Sequence, residues 1–341
     1  MNNPYKQRLG RPQLDLMLKQ AGIDPGLLSS HVELTDGFFN TVHRIKLTDG
    51  TGLVVKVAPP PDVPLMAYEH GLVRNEEMFY QAAAAGGVPV PRVVFAGIRD
   101  GGAGSDFLLM EECPGTNWYA QRDRIAAESK KALRAELGGV VARLHRVEGK
   151  GFGYSQQVLL PDWRTAFLAM VGSVLDDAQK FGAALPMPVD EIRALVDGQA
   201  HLLDDTGAPV LVHFDLWAGN ILVDFVDGVP RVSAIVDGER AFWGDPLADT
   251  ASLALFGDIE DDQAFLEGYR SAGGVVVFDS SSRRRLALYR TYLYLIMLVE
   301  TVPRGQNSPE DQRMSRHVGE HLLTSLRALA EDAVRGTDGA T

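Results

Sequence analysis

The chain has 341 residues, a length that supports two lobes with cores of their own. Its 45% hydrophobic and 23% charged residues are ordinary for a soluble globular protein, and no run approaches the ~18 apolar residues that span a membrane. A net charge of −12 argues against nucleic acid as the main partner; the single cysteine, Cys113, and a start (Met-Asn-Asn-Pro-Tyr-Lys) without an apolar signal core point to the cytoplasm.

Residues 11–28 carry Leu14, Met17, Leu18 and Ala21 at helical spacing and predict a leading amphipathic helix. Strand-like runs at 30–34 and 42–47 flank Thr35-Asp-Gly-Phe-Phe-Asn-Thr41. Gly37 lets the backbone of that loop approach phosphates closely, and Asn40 is a further candidate contact there. Residues 52–58 form a β-rich run with Lys56 at its centre. A lysine on an interior strand is costly without a charge partner; a phosphate supplies one, and an edge strand facing solvent is the alternative. A helix is predicted over 72–85, with Glu76 and Glu77 on it and Glu69 just before it as possible partners of that lysine. Val88-Pro-Val-Pro91 ends the helix, and a strand follows at 92–96. Phe107-Leu-Leu-Met-Glu-Glu-Cys-Pro-Gly115 then runs from an apolar strand into a turn, which divides the chain into lobes at 1–112 and 113–341.

The second half reads mainly as helix. Residues 125–146 carry a core-facing pattern, with His145 at the end as a cap or packing residue. Helices follow at 163–181, bearing Asp176 and Asp177, and at 189–203. Leu211–Val223 reads as a short strand, a polar loop and the start of another strand. Asp227-Gly228 signals a hairpin between 221–225 and 231–236. Antiparallel pairing brings Asn220 and Asp237 to one end of that ribbon, and Asp215 lies in the loop feeding it. Phosphoryl transfer needs such a trio: one carboxylate to align the attacking hydroxyl and take its proton, and an amide oxygen with a second carboxylate to hold Mg²⁺ against nucleotide phosphates. The chain has no Gly-x-x-x-x-Gly-Lys-Ser/Thr run, which counts against the P-loop kinases. Asp245 before Pro246 suits an N-cap, and Asp245 and Asp249 are assigned structural roles. Within 283–302, Tyr289, Tyr292, Ile296 and Glu300 form one helical stripe. The acid ending it needs a partner, either a substrate ammonium or hydroxyl, or Arg304. Residues 279–285 and 303–310 read as loops, 311–335 as the last helix, and 336–341 as a frayed end.

His213-Phe-Asp-Leu-Trp-Ala-Gly-Asn220, Ile235-Val-Asp237 and Gly244-Asp-Pro-Leu-Ala-Asp249 resemble the catalytic and metal-binding segments of the aminoglycoside-phosphotransferase and fructosamine-kinase group. The resemblance extends from about residue 30 to 310. It implies an α+β, bilobal, protein-kinase-like fold, with a small, mainly β N-terminal lobe and a larger, mainly α C-terminal lobe. It also implies ATP and Mg²⁺, with Asp215 as base, Asn220 and Asp237 as metal ligands, Lys56 on the phosphates and Glu76 as its partner. Met110 would back the adenine pocket, and the backbone of Glu111 to Cys113 would bind the base. Phe214 stands where the group commonly has Gly, and Gly238-Glu239 replaces the Phe-Gly of protein kinases, which argues against a protein substrate.

The acceptor site is expected to be sugar-like in its demands. Trp217 would stack on a sugar ring, while Asp215, Glu239 and Glu300 would make the cleft anionic, flanked by Tyr289 and Arg304. That suits an amine-bearing sugar. The stretch Leu288-Tyr-Arg-Thr-Tyr-Leu-Tyr-Leu-Ile-Met-Leu-Val-Glu300, with Trp163 and Asp176-Asp177, resembles actinobacterial glucosamine kinases. This implies glucosamine 6-phosphate as product; an aminoglycoside antibiotic is the alternative acceptor, with maltose or a fructosamine behind it. A catalytically dead kinase fold acting as a scaffold is the reading from another class, and it predicts loss of Lys56, Asp215, Asn220 or Asp237, all of which are kept.

Overall fold

The computed structural model describes residues 3–35, 37–98 and 105–337. Alternating aliphatic and β-branched residues fold the first third of the chain into a five-stranded antiparallel sheet. Its strands are β1 (Leu28–Leu34), β2 (Thr41–Leu47), β3 (Gly52–Val57), β4 (Val93–Gly97) and β5 (Phe107–Glu111), in spatial order β1-β2-β3-β5-β4. Helix α1 (Arg11–Gln20) covers one face, burying Leu14 and Leu18 against Ile45, Leu53, Val55 and Leu109. Helix α2 (Leu72–Ala85) covers the other and shares its core with Leu108 and Met110. The run Phe107-Leu-Leu-Met110 is therefore buried at every position, because both faces of β5 are covered.

At the junction of the two halves Gly115 adopts φ +89, and a Cβ there would lie 2.3 Å from the Val223 carbonyl. Only glycine lets the chain pass that close. Beyond it come β6 (Thr116–Asn117), α3 (Trp118–Gln121), α4 (Ala127–Leu144), α5 (Trp163–Phe181), α6 (Val189–Gly198), β7 (Val210–Val212), β8 (Ile221–Val226) and β9 (Val229–Ile235). The chain continues through β10 (Phe242–Gly244), α7 (Asp249–Leu253), α8 (Gln263–Ser271), α9 (Ser280–Val299) and α10 (Pro309–Thr337). Helix α9 is buried on nearly every side, between α5, α7 and α10. A protein-kinase-like arrangement, sheet in front and helices behind, is the result.

Helices α2 and α5 have the bounds their periodicity predicts. Helix α1 is shorter than the predicted 11–28, because Gly22 turns left-handed (φ 74) and Pro25 opens a 3-10 turn. The predicted helix 189–203 breaks after Gly198 into a 3-10 turn, Ala200–Asp205. The predicted loop at 279–285 is instead the first turn of α9, where Asp279 accepts from the Ser282 N–H at 2.8 Å as an N-cap. Helix α8 is an addition that the sequence reading passed over. Residues 338–341 of the predicted frayed end lie outside the described residues. Among the described residues no helix is long and apolar enough to cross a membrane.

Candidate active site

Asp227 and Gly228 both take positive φ (51 and 78), the backbone a two-residue hairpin turn requires. With that turn set, Ile221 pairs with Ile235, and the Val236 N–H donates to the Asn220 carbonyl at 3.0 Å. Asn220 and Asp237 thus meet at one end, as the hairpin signal predicts. The Asn220 amide nitrogen donates to the Asp215 carbonyl at 2.9 Å. This ties down the loop between the two residues and leaves the amide oxygen as the group available to a cation.

The loop around Asp215 is braced from behind by Asp249, a fully buried carboxylate. It accepts from the N–H groups of His213 (3.2 Å) and Phe214 (2.6 Å), and its Oδ2 lies 2.9 Å from His145 Nε2. His213 Nε2 donates to the Val236 carbonyl at 3.0 Å, and its Nδ1 accepts from the Asp215 N–H at 3.2 Å. The Leu216 N–H donates to Ser252 Oγ at 2.9 Å. Phe214 is held left-handed (φ 62) with its ring buried against Phe242 and Tyr292. A glycine, common here in the resembled group, suits that backbone without strain, whereas Phe214 offsets its strain by burial.

Lys56 is 6% exposed and faces a cluster of carboxylates. Its Nζ lies 2.8 Å from Glu76 Oε2 and 2.7 Å from Glu239 Oε2, and it donates to Asp237 Oδ1. Burial alone would lower the Lys56 pKa, but Asp237, Glu239 and Glu76 outweigh it and hold the ammonium well above its ordinary value. Burial pushes Glu76 up to about 7 against the pull of Lys56, making it the carboxyl in the cluster with a raised affinity for a proton. Enclosure raises Asp237 as well, but Lys56 more than offsets it, and the net shift is downward. Tyr80 spans two members of this group: its hydroxyl donates to Glu76 Oε1 at 2.8 Å and accepts from the Asp237 N–H at 2.9 Å. Asp237 sits left-handed (φ 65, ψ 46) and points its carboxylate into the cleft. A Cβ on the next residue, Gly238, would lie 2.1 Å from the Phe79 ring, so this turn closes on α2 only with glycine.

A cavity of ≈ 380 Å³ opens in front of the cluster, lined by Gly37, Lys56, Glu76, Met110, Glu111, Cys113, Asn220 and Asp237. Asn40 stands beside it, donating to Glu239 Oε2 at 2.6 Å. The carboxylate oxygens of Glu76, Asp237 and Glu239 lie within 4.8 Å of one another around the Lys56 ammonium, while Asp237 and Asn220, both hard-oxygen groups suited to a divalent cation, line the open cavity beside it. Of the rivals to Glu76, Glu77 binds Gln81 on the outer face of α2, and Glu69 pairs with Arg304 at 2.6 Å.

The acceptor wall differs from the expectation in four residues. Glu239 is turned toward Lys56 and Asn40, to which it is bound, and not toward an acceptor wall. Tyr289 has no exposed surface; its hydroxyl donates to Asp245 at 2.7 Å and accepts from Trp163 Nε1 at 2.9 Å, so it is a core residue. Glu300 lies 2.7 Å from Arg240 Nη2 and 3.1 Å from Arg304 Nη2, so its charge is already taken up. Arg304 is the internal partner that the sequence offered as an alternative, shared between Glu300 and Glu69. Asp176 pairs with Arg193 at the surface, and Asp177 accepts from the Ala67 N–H at 2.7 Å. Trp217 is 39% exposed, packed on Gly219 and 5.8 Å from the Tyr119 ring, so its surface is open to a ligand.

Arg240 was missed. It follows Asp237 by three residues and is nearly buried, and its pKa, which burial would lower, is held well above the ordinary value by Glu300, Tyr68, Asp215 and Glu239. Asp215 is raised: burial drives the shift, Arg240 opposes it and Asp237 adds to it. A charged residue so close behind a candidate metal ligand was the available signal. Asn75 was missed too. Its amide donates to the carbonyls of Glu239 (2.9 Å) and Ala241 (2.6 Å), pinning the turn after Asp237 to α2.

A kinase-like sheet over a helical half, with a braced aspartate loop, a cation-fitting end of a hairpin and a buried lysine facing it, defines a phosphotransferase. The chain belongs to the phosphotransferase enzyme family (APH), whose model matches residues 31–289. It is 26% identical over 273 residues to the 4-hydroxytryptamine kinase of Psilocybe cubensis, covering 69% of this chain and 72% of that protein. It is 28% identical over 199 residues to a protein of Lactiplantibacillus plantarum assigned as a ketoamine kinase, covering 54% of this chain and 65% of that one. The mouse protein acyl-CoA dehydrogenase family member 10 matches at 25% identity over 78% of this chain, which spans only 24% of that longer protein. Among solved structures, a protein of Thermobifida fusca YX-ER1 assigned as a fructosamine-3-kinase superposes with a TM-score of 0.67 at 22% identity, over 95% of this chain and 100% of the other. Aminoglycoside phosphotransferase APH(4)-Ia, in ternary complex with AMP-PNP and hygromycin B, superposes with a TM-score of 0.63 at 17% identity, over 92% and 97%. These likenesses establish the fold.

Proposed function

We propose that this chain moves the γ-phosphate of ATP to a hydroxyl of a small amine-bearing sugar, with glucosamine as the first candidate acceptor. The observation that carries the phosphotransfer reading is the gathering of Lys56, Asn220 and Asp237 on one cavity, with the Asp215 backbone tied to Asn220 and its carboxyl within the electrostatic reach of Asp237. The amine-bearing acceptor is supported by relatives whose names specify ketoamines, fructosamine and aminoglycosides.

Nucleotide enters the ≈ 380 Å³ cavity. The Glu111 and Glu112 amides are committed to the Arg92 (2.9 Å) and Gly52 (3.0 Å) carbonyls, so the base is read by Cys113 and the carbonyls of that stretch, with Met110 behind it. Lys56 meets phosphate oxygens and is held by Glu76. Asn220 and Asp237 would hold Mg²⁺, with Glu239 within reach, and the ion supplies charge neutralisation on the phosphates. Asp215 orients the acceptor hydroxyl and accepts its proton as oxygen attacks phosphorus and ADP departs. Burial raises the Asp215 pKa, and Arg240 opposes that rise in favour of the carboxylate. Trp217, exposed and two residues from Asp215, is the candidate to stack on the acceptor ring.

ADP release with Mg-ATP should be followed over glucosamine, N-acetylglucosamine, glucose, maltose, a fructosamine, kanamycin and 4-hydroxytryptamine. Turnover with glucosamine and little with N-acetylglucosamine is expected. Turnover only with kanamycin or only with 4-hydroxytryptamine would replace the acceptor, and no turnover with any would favour a scaffold.

A further inference from the structure

Residues 3–9 run across the loop that joins β1 to β2 and hold it from outside. Asn3 Nδ2 donates to the Phe38 carbonyl at 2.8 Å, Lys6 Nζ to the Asn40 carbonyl at 2.6 Å, and the Gln7 N–H to Thr41 Oγ1 at 2.7 Å. The Gln7 side chain donates to the Ala58 carbonyl and to Ser105 Oγ, each at 2.6 Å, so the arm also grips the end of β3 that carries Lys56. Tyr5 anchors it. The ring is wholly buried, 6.0 Å from Phe38 and 5.6 Å from Phe39, and its hydroxyl donates to the Pro64 carbonyl.

The loop so held is the one that touches the reaction space. Gly37 lines the nucleotide cavity, and Asn40 binds Glu239, which is paired with Lys56. Phe39 lies under the Arg304 guanidinium, 5.0 Å from ring centre to Cζ, and Arg304 pairs with Glu300 beside Arg240. Burial lowers the Lys6 pKa, Glu33 opposes, and Lys56 adds to the lowering, so the two ammonium groups share one neighbourhood.

We propose that the N-terminal arm is a strap that sets the β1–β2 loop in its nucleotide-binding position, with Lys6 and Tyr5 as positioning residues for phosphotransfer. The proposal rests on the phosphotransfer reading above. A loop with a glycine at its centre samples many conformations, and a nucleotide that must order it loses affinity. The arm orders it in advance through two bonds to the loop, one to the first residue of β2 and a buried aromatic anchor.

Lys6→Met keeps most of the stem and removes the donor to Asn40, while Lys6→Arg restores a donor. Binding of Mg-AMP-PNP by calorimetry and steady-state kinetics with an acceptor from the panel are the readouts, with melting temperature alongside. In Lys6→Met the KM for ATP and the Kd for AMP-PNP should rise about five- to tenfold, while kcat, the acceptor KM and the melting temperature hold; Lys6→Arg should recover most of the loss. Wild-type affinity in Lys6→Met overturns the strap, as does a parallel deterioration in which kcat and melting temperature fall and both KM values rise, which would make the arm a general stabiliser. Tyr5→Phe, which removes only the bond to Pro64, should loosen AMP-PNP in the same direction; tighter binding would also count against the strap. A wild-type chain that binds no AMP-PNP overturns the phosphotransfer reading and the strap together.

Discussion

Tyr80→Phe isolates one hydroxyl that links α2 to the end of the catalytic hairpin. It leaves the ring, which is 2% exposed, in place and removes two bonds: the donor to Glu76 Oε1 at 2.8 Å and the acceptor for the Asp237 N–H at 2.9 Å. Each group stranded without a partner costs about 1–3 kcal/mol. The hydroxyl's own desolvation is recovered, so a net loss of about 2–4 kcal/mol is expected. For a chain of 341 residues that corresponds to a melting point lower by about 3–6 °C. The same change should reach function, because the Asp237 N–H bond holds that residue at φ 65. If about 1 kcal/mol of the loss falls on the placement of the Asp237 carboxylate, Mg-ATP binds about fivefold more weakly. Thermal denaturation and titration calorimetry with Mg-AMP-PNP read the two effects separately. A variant with wild-type melting and wild-type affinity would refute the linkage. Lower melting with unchanged affinity would keep Tyr80 as a stabiliser and remove it from the site.

Asp215→Asn should lower kcat by several orders of magnitude while AMP-PNP binds as in wild type; a kcat near wild type would remove Asp215 as base. Because burial raises the Asp215 pKa, activity should fade as pH drops through a limb lying above the ordinary Asp value of about 3.9, and Arg240→Met should move that limb higher still. A limb that stays put in the variant would separate Arg240 from Asp215. Glu76, raised from 4.5 to about 7, favours its protonated form in the folded chain, so its contribution to stability is full below pH 4.5 and lost as pH rises through about 7. The melting point of wild type relative to Glu76→Gln should therefore fall between pH 5 and 8 in the absence of nucleotide; a constant difference would contradict the shift. Asp249→Asn keeps the shape but removes a charge from a buried acceptor of two N–H groups and from beside a histidine, and should cost about 3 kcal/mol and most of kcat. Retained kcat would show that the loop around Asp215 holds its shape without that brace.

The catalytic hairpin was legible because its signals are local. Asp227-Gly228 fixes the turn, the turn fixes the register, and the register places Asn220 opposite the segment leading to Asp237. Lys56 was legible for a related reason, since a lysine inside a strand needs a partner; the residues left Glu69, Glu76 and Glu77 open, the family resemblance pointed to Glu76, and the packing of α2 turns Glu76 inward onto the lysine. The acceptor wall was not legible, and the reason is combinatorial. Glu300 was rightly read as an acid in want of a partner, but three groups could satisfy it: a substrate amine, Arg304, or Arg240 approaching from a turn sixty residues away in sequence. Spacing along α9 decides which residues share a face but leaves open what faces them. Tyr289 shows the same limit, because a stripe that meets the core and a stripe that meets a cleft have one periodicity. The N-terminal arm carried no periodic signal at all; its hold on the loop rests mainly on hydrogen bonds to backbone carbonyls, for which the side-chain pattern of the receiving segment encodes nothing. A locally encoded centre is thus completed by long-range pairings that the sequence pattern leaves open, so the acceptor contacts are to be sought by measurement at Arg240 and Trp217.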